Sequence, residues 1–135
     1  MQTVTLLRDM KIKKFKKVSI KSLKLKSWKL LSEYVRRRDK GICFTCGVKD
    51  EWKNQQCGHF IHGRDDYENP QWFRCQCPRC NNWLSGNLGI FARKLIELYG
   101  LKAVEDYQKY QPPKKWKVQE LNQVIKELKE KLKIL

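Results

Sequence analysis

Two Cys-X-X-Cys pairs constrain this chain more than any other feature: Cys43-Phe44-Thr45-Cys46 and Cys77-Pro78-Arg79-Cys80. Thiolates three residues apart can reach one ion, and Gly47 lets the backbone turn beneath the first pair. The two knuckles together offer four thiolates, the donor set zinc favours in a structural role, with residues 47–76 between them. An ion held by four thiolates has no open position, so Zn²⁺ here is expected to hold shape rather than perform chemistry. Its binding free energy would replace a core that residues 42–80 lack the long periodic runs to build. Cys57 and Cys75 have no partner at knuckle spacing; either could substitute for a knuckle cysteine, but both are read as buried thiols.

A chain of 135 residues allows one compact domain with tails. Thirty Lys and Arg against 14 Asp and Glu give a net charge of +16, the sign that attracts a polyanion, so nucleic acid is the expected partner. No apolar run approaches the roughly 18 residues of a membrane span. The short group Val4 to Leu7 is too brief for a secretory signal, so a cytoplasmic protein is expected. In that compartment thiols stay reduced, which favours metal ligation over disulfides.

Residues 1–26 carry Lys13, Lys14, Lys16 and Lys17 among other lysines with no sustained apolar period, and read as a flexible basic arm for phosphate. From Ser27, a candidate N-cap, the spacing of Trp28, Leu31, Tyr34 and Val35 predicts a helix that ends on Arg36, Arg37 and Arg38, with Asp39-Lys40-Gly41 as its stop. A second helix is expected after Gly86-Asn87, carrying Leu88, Phe91, Leu95 and Leu98 and stopping at Gly100; a short one should cover residues 101–110 before Pro112-Pro113. Val118, Leu121, Ile125, Leu128, Leu132 and Leu135 alternate three and four apart, the seam of a heptad helix. That seam could pack on its own domain or join two copies in a homodimer.

Between the knuckles lies Gln56-Cys57-Gly58-His59-Phe60-Ile61-His62-Gly63-Arg64, a candidate strand with the chain's two histidines. An imidazole that titrates near neutrality can take a proton from water, as phosphodiester hydrolysis requires of its base, which nominates His59. Such a reaction also needs a hard cation, Mg²⁺ or Mn²⁺, on oxygen ligands. Asn81, anchored directly after the last knuckle cysteine, is the first candidate ligand; Asp65, Asp66, Glu68, Asn69, His62 and Asn87 are further ones. Arg36, Arg37, Arg38 and Arg64 join the arm lysines as expected phosphate contacts.

The order of these parts resembles the NinG (Rap) family of phage recombination proteins, a branch of the HNH nucleases. The resemblance runs through Ser32 to Asp39, Trp52-Lys53, Gly58-His59-Phe60-Ile61, Gln76 to Asn81, Ser85-Gly86-Asn87 and Leu98-Tyr99-Gly100. It implies an α+β fold: a small ββα-metal (HNH-like) core stapled by the four-cysteine zinc site, flanked by helices. The expected parts are the basic arm at 1–26, the nuclease domain at 27–110 and an amphipathic C-terminal helix at 111–135. It further implies an endonuclease acting on branched DNA such as Holliday junctions and D-loops in a phage-infected bacterial host, with His59 as general base and Asn81 beside the catalytic metal. Two positions depart from the HNH pattern: Gly58 stands where an Asp or His often completes the metal site, and Trp72 where the middle asparagine usually lies, with Asn69 three residues away. These departures support the competing expectation, a non-catalytic zinc-binding accessory protein of recombination that binds DNA.

Overall fold

The computed structural model describes residues 18–135; the expected arm residues Lys13, Lys14, Lys16 and Lys17 lie outside that range. The first helix, α1 (Ile20–Arg38), starts well before Ser27, because Ser19 caps it by accepting from the Ser22 amide at 3.1 Å. Ser27 is instead buried in mid-helix, where its hydroxyl is satisfied by the Leu23 carbonyl at 2.8 Å. Residues 20–26, which the expected arm over 1–26 included, are therefore helical, Lys21, Lys24 and Lys26 among them. Leu23, Ser27, Leu31 and Val35, spaced by four, form the buried stripe of α1. After it the chain reverses through Lys40 (φ 55°) and Gly41 (φ 69°); a side chain at Gly41 would meet the Asp50 carbonyl oxygen at 1.9 Å, so only glycine fits.

The first knuckle follows, then β1 (Gln56–His59) and β2 (Phe73–Gln76), a two-stranded antiparallel sheet pairing Gln56 with Gln76, Cys57 with Cys75, Gly58 with Arg74 and His59 with Phe73. The second knuckle runs from β2 into a π-helical turn, Arg79–Trp83. Ser85, Gly86 and Asn87 all take positive φ and redirect the chain into α2 (Leu88–Tyr99), which Gly100 (φ 90°) separates from α3 (Leu101–Gln108). An irregular segment through Pro112-Pro113 leads to α4 (Val118–Ile134), whose first turn is closed by the Lys117 amide donating to Glu120 at 3.0 Å. The architecture is small and α+β, and none of the described helices is long and apolar enough to cross a membrane.

Two apolar cores flank the sheet. In one, α1 and α4 pack on each other and on Cys57 and Phe73, through Leu23, Leu31 and Val35 against Leu121, Val124, Ile125 and Leu128. The heptad seam is thus filled by its own chain: Val124 joins the buried face, Val118 and Leu135 are exposed, and the central positions are not open to a second copy. In the other, Phe60 meets Phe91, Leu95 and Val104 of α2 and α3, with Phe44 of the first knuckle and Trp72 packed on it.

Arg38 ties α1 to the sheet. Its guanidinium donates to both Asp39 carboxylate oxygens (2.9 and 3.2 Å) and to the carbonyls of Pro70 (2.9 Å) and Phe73 (2.6 Å), while Asp39 accepts the Cys75 amide at 2.8 Å. Arg38, expected as a phosphate contact, has these donors committed to protein. Truncation by Arg38→Ala leaves a half-buried carboxylate and two carbonyls without their partner, and we expect a loss of about 3 kcal/mol in urea unfolding with an unchanged m-value. Arg38→Lys should recover little of it, because an ammonium cannot span the fork. Wild-type stability in Arg38→Ala would show the clamp to be idle.

Candidate functional site

The knuckles meet because the first is pinned to β2, the strand that runs on into the second: the Phe44 amide donates to the Cys75 carbonyl at 2.8 Å. Within the second knuckle, the Asn81 amide donates to the Cys77 carbonyl at 3.0 Å. The sulfurs of Cys43, Cys46, Cys77 and Cys80 all lie within 4.8 Å of one another, with Cys46 and Cys77 3.7 Å apart. A tetrahedron of sulfurs about 2.3 Å from zinc has edges of about 3.8 Å, so the donor set can hold a structural metal such as zinc. Cys46 is exposed as a residue, but desolvation of its sulfur pushes the thiol up to about 12, with the sulfurs of Cys43, Cys77 and Cys80 adding to that and the Val48 backbone opposing it. Burial also acts against the Cys43 thiolate, but the Thr45 hydroxyl and the backbone amides of Cys77, Cys46 and Thr45 outweigh it and hold Cys43 down at about 6. Cys57 and Cys75 stand outside the cluster, and burial raises both to about 12, as inert thiols.

Strand alternation divides the remaining candidates. Cys57, His59 and Phe73 face α1; Gln56, Gly58, Arg74 and Gln76 face the knuckles. His59 stacks on Trp28 of α1 (ring centroids 4.5 Å apart, 14° between planes) and meets Phe73 edge-on at 5.3 Å. Asn81 lies on the other side of the sheet, its amide donating to Gln56 at 2.7 Å. The structure therefore does not bring His59 and Asn81 together as the sequence led us to expect. Gly58 is glycine for a local reason: a Cβ there would lie 1.9 Å from the Gln76 side-chain oxygen. Gln76 is fully buried and donates to Thr45 and to the Gly86 carbonyl, while its oxygen has no hydrogen-bond partner among the described residues. The space that a side chain at position 58 would need is filled by Gln76.

His59 instead has His62 beside it (centroids 5.7 Å) and Asp65 near enough to act on its charge. Burial lowers its pKa from the usual 6.5, His62 lowers it further, and Asp65 opposes. This environment favours the neutral imidazole over the charged one. Asp65 pairs with Lys24 at 2.5 Å, and the Asn69 amide donates to Asp66 at 2.6 Å. His62, Asp65, Asp66, Glu68 and Asn69 line a groove of about 710 Å³ together with Tyr107 and Lys114. Asn87, by contrast, sits at the knuckles, its amide 3.8 Å from the Cys80 sulfur.

Most of the expected arginine contacts have protein partners. Arg36 donates to the Ser32 carbonyl at 3.0 Å and lies over Trp52, Arg37 pairs with Glu33 at 3.2 Å, and Arg64 donates to the Tyr107 and Lys109 carbonyls. Sequence reasoning missed Trp28, Gln56 and Gln76. Strand parity alone could have separated Gln56 from His59, but nothing local in the chain announces Trp28 as the lid on the imidazole.

The family model described as Bacteriophage Lambda NinG protein matches residues 7–135. The chain belongs to the NinG family. Among curated members, Protein ninG of Salmonella phage P22 is 29% identical over 114 residues, covering 78% of this chain and 53% of that protein. Protein ninG of Escherichia phage lambda is 28% identical over 114 residues with the same coverage. The chain thus spans about half the length of these family members. No solved structure matches it.

Proposed function

We propose that this NinG-family chain is a metal-dependent DNA endonuclease of the HNH type that cuts branched recombination intermediates, Holliday junctions and D-loops, with His59 as the general base. The observation that carries the reading is the placement of the His59 imidazole at the end of β1, held between Trp28 and Phe73, with His62 and Asp65 beside it. The net charge of +16 supplies the attraction for a polyanion. In this reading His59 accepts a proton from the attacking water. Trp28 and Phe73 fix the ring plane, and the staple keeps β2, and through it β1, in place.

Mg²⁺ or Mn²⁺ would neutralise charge on the scissile phosphate and leaving oxygen. Mg²⁺ needs only one or two protein donors beside water and phosphate. Asp65 and His62 are the donors that the His59 face offers, and Lys24 now neutralises Asp65 there. Asn81, across the sheet, orders Gln56 rather than joining this set.

The separation of His59 from Asn81 and the filled position at Gly58 favour a second reading, a zinc-binding accessory protein that binds DNA without cutting it. Labelled duplex, flap and four-way-junction DNA incubated with the chain and Mg²⁺ or Mn²⁺ separates the two. We expect cutting of branched substrates only, and only with metal. Intact DNA throughout, with binding retained, would select the accessory reading.

A further inference from the structure

The described chain holds a concentration of cations that the site near His59 does not use. Lys126, Lys129 and Lys133 are exposed and spaced three and four apart, so they form one ridge of α4. Lys26 is exposed on α1, the helix against which α4 packs, and its charge acts on Lys129. Lys26 and Lys133 both depress the Lys129 pKa, and no carboxylate counters them. Glu127 and Glu130 lie on the same helix, yet none of these four lysines forms a salt bridge among the described residues. Flexible ammonium groups free to turn toward water remain instead beside like charge, an arrangement that an anion between them would relieve.

The placement of the ridge adds a second consideration. Lys26 and Trp28 are two residues apart on α1 and so about 200° apart around it. Trp28 covers His59, so Lys26 and the ridge beside it are turned away from the imidazole. A straight duplex lying against His59 would not also cover the ridge, whereas a second arm of branched DNA can.

We propose that Lys26, Lys129 and Lys133 form a phosphate-binding ridge across α1 and α4 that takes a duplex arm other than the one presented to His59. This rests on the reading of the chain as a protein of branched DNA, but not on its cutting DNA.

The test is a salt series of binding titrations without divalent metal, so that nothing is cut. It compares the full chain with its K26Q/K129Q/K133Q variant on a labelled four-way junction and on a linear duplex of one arm's length. Each lost phosphate contact flattens the log K against log salt slope by about 0.9, so the variant's junction slope should be shallower by about two to three. Its junction affinity should fall about ten- to a hundredfold near 0.1 M salt, while the duplex changes little and the preference for the junction shrinks. The K26R/K129R/K133R variant should bind as the wild type does.

Removing like charges should leave metal content intact and raise the melting temperature, which distinguishes lost contacts from lost fold. Wild-type junction affinity and slope in the Gln variant would overturn the ridge, and equal losses on junction and duplex would overturn its assignment to a second arm. A wild-type chain that binds neither DNA would overturn it as well. A wild-type chain that binds but never cuts with Mg²⁺ overturns the nuclease reading alone and leaves the ridge to be judged by the titrations.

Discussion

Stripping metal with a strong chelator, or replacing Cys43 with serine, is expected to unfold the middle of the molecule while leaving residual helix. Structural zinc sites of this kind bind with apparent free energies of about 10 to 16 kcal/mol, as large as the whole stability of a typical domain. The knuckles also seat one core: Phe44 lies 5.3 Å from Phe91, so a loosened first knuckle removes a wall from α2 and α3. The α1 and α4 packing, built from Leu23, Leu31, Leu121 and Leu128, does not touch the sulfurs and should outlast it.

Near-UV circular dichroism should therefore collapse while far-UV helix signal falls only in part. Zinc added back should restore both in the wild type but not in Cys43→Ser. Retention should weaken as pH falls, because protons compete with the metal for the thiolates; Cys46, pushed up to about 12, holds its proton well above the usual thiol range without metal. A chelated chain with native near-UV signal and melting temperature would show that the four sulfurs hold no structural ion.

The staple was legible because knuckle spacing is a local property, and so were α2 and α3, where apolar period and the glycine at 100 agree. What escaped was tertiary. Ser19 and Ser27 are both credible caps by residue type, and only the Leu23 carbonyl, one turn back, decides that Ser27 belongs inside a helix. The arginine triplet at 36–38 looks like a phosphate patch in one dimension, yet Arg38 is a clamp because Asp39, Pro70 and Phe73 converge on it from distant segments. His59 and Asn81 were expected together because Asn81 is anchored by the last knuckle cysteine and the family resemblance implies that both serve one metal-dependent site. Which face of a two-stranded sheet meets α1 is fixed by packing of Cys57 and Phe73 with Leu31 and Val35, and no local signal carries that. The heptad seam was real, but the chain had its own apolar stripe on α1 to fill it.

Replacing His59 with phenylalanine should separate chemistry from architecture. A phenyl ring can keep the stack on Trp28 and the edge contact with Phe73, so metal content and junction binding should persist. Removing a general base lowers the rate by about 10² to 10⁴, and cutting of the four-way junction with Mg²⁺ should fall by that factor. Because burial and His62 lower the His59 pKa from 6.5, the acid limb along which wild-type cutting is lost should have its midpoint below that value.

The same shift predicts a stability effect that needs no activity. The unfolded chain binds this proton more readily than the folded one, so the stabilising contribution is fully present above the unfolded value near 6.5 and is lost as pH falls through the lower folded value. His59→Phe should flatten that part of the pH–stability profile. A variant that cuts within a few-fold of wild type would remove His59 from the base role, and an unchanged profile would show that its environment does not shift it.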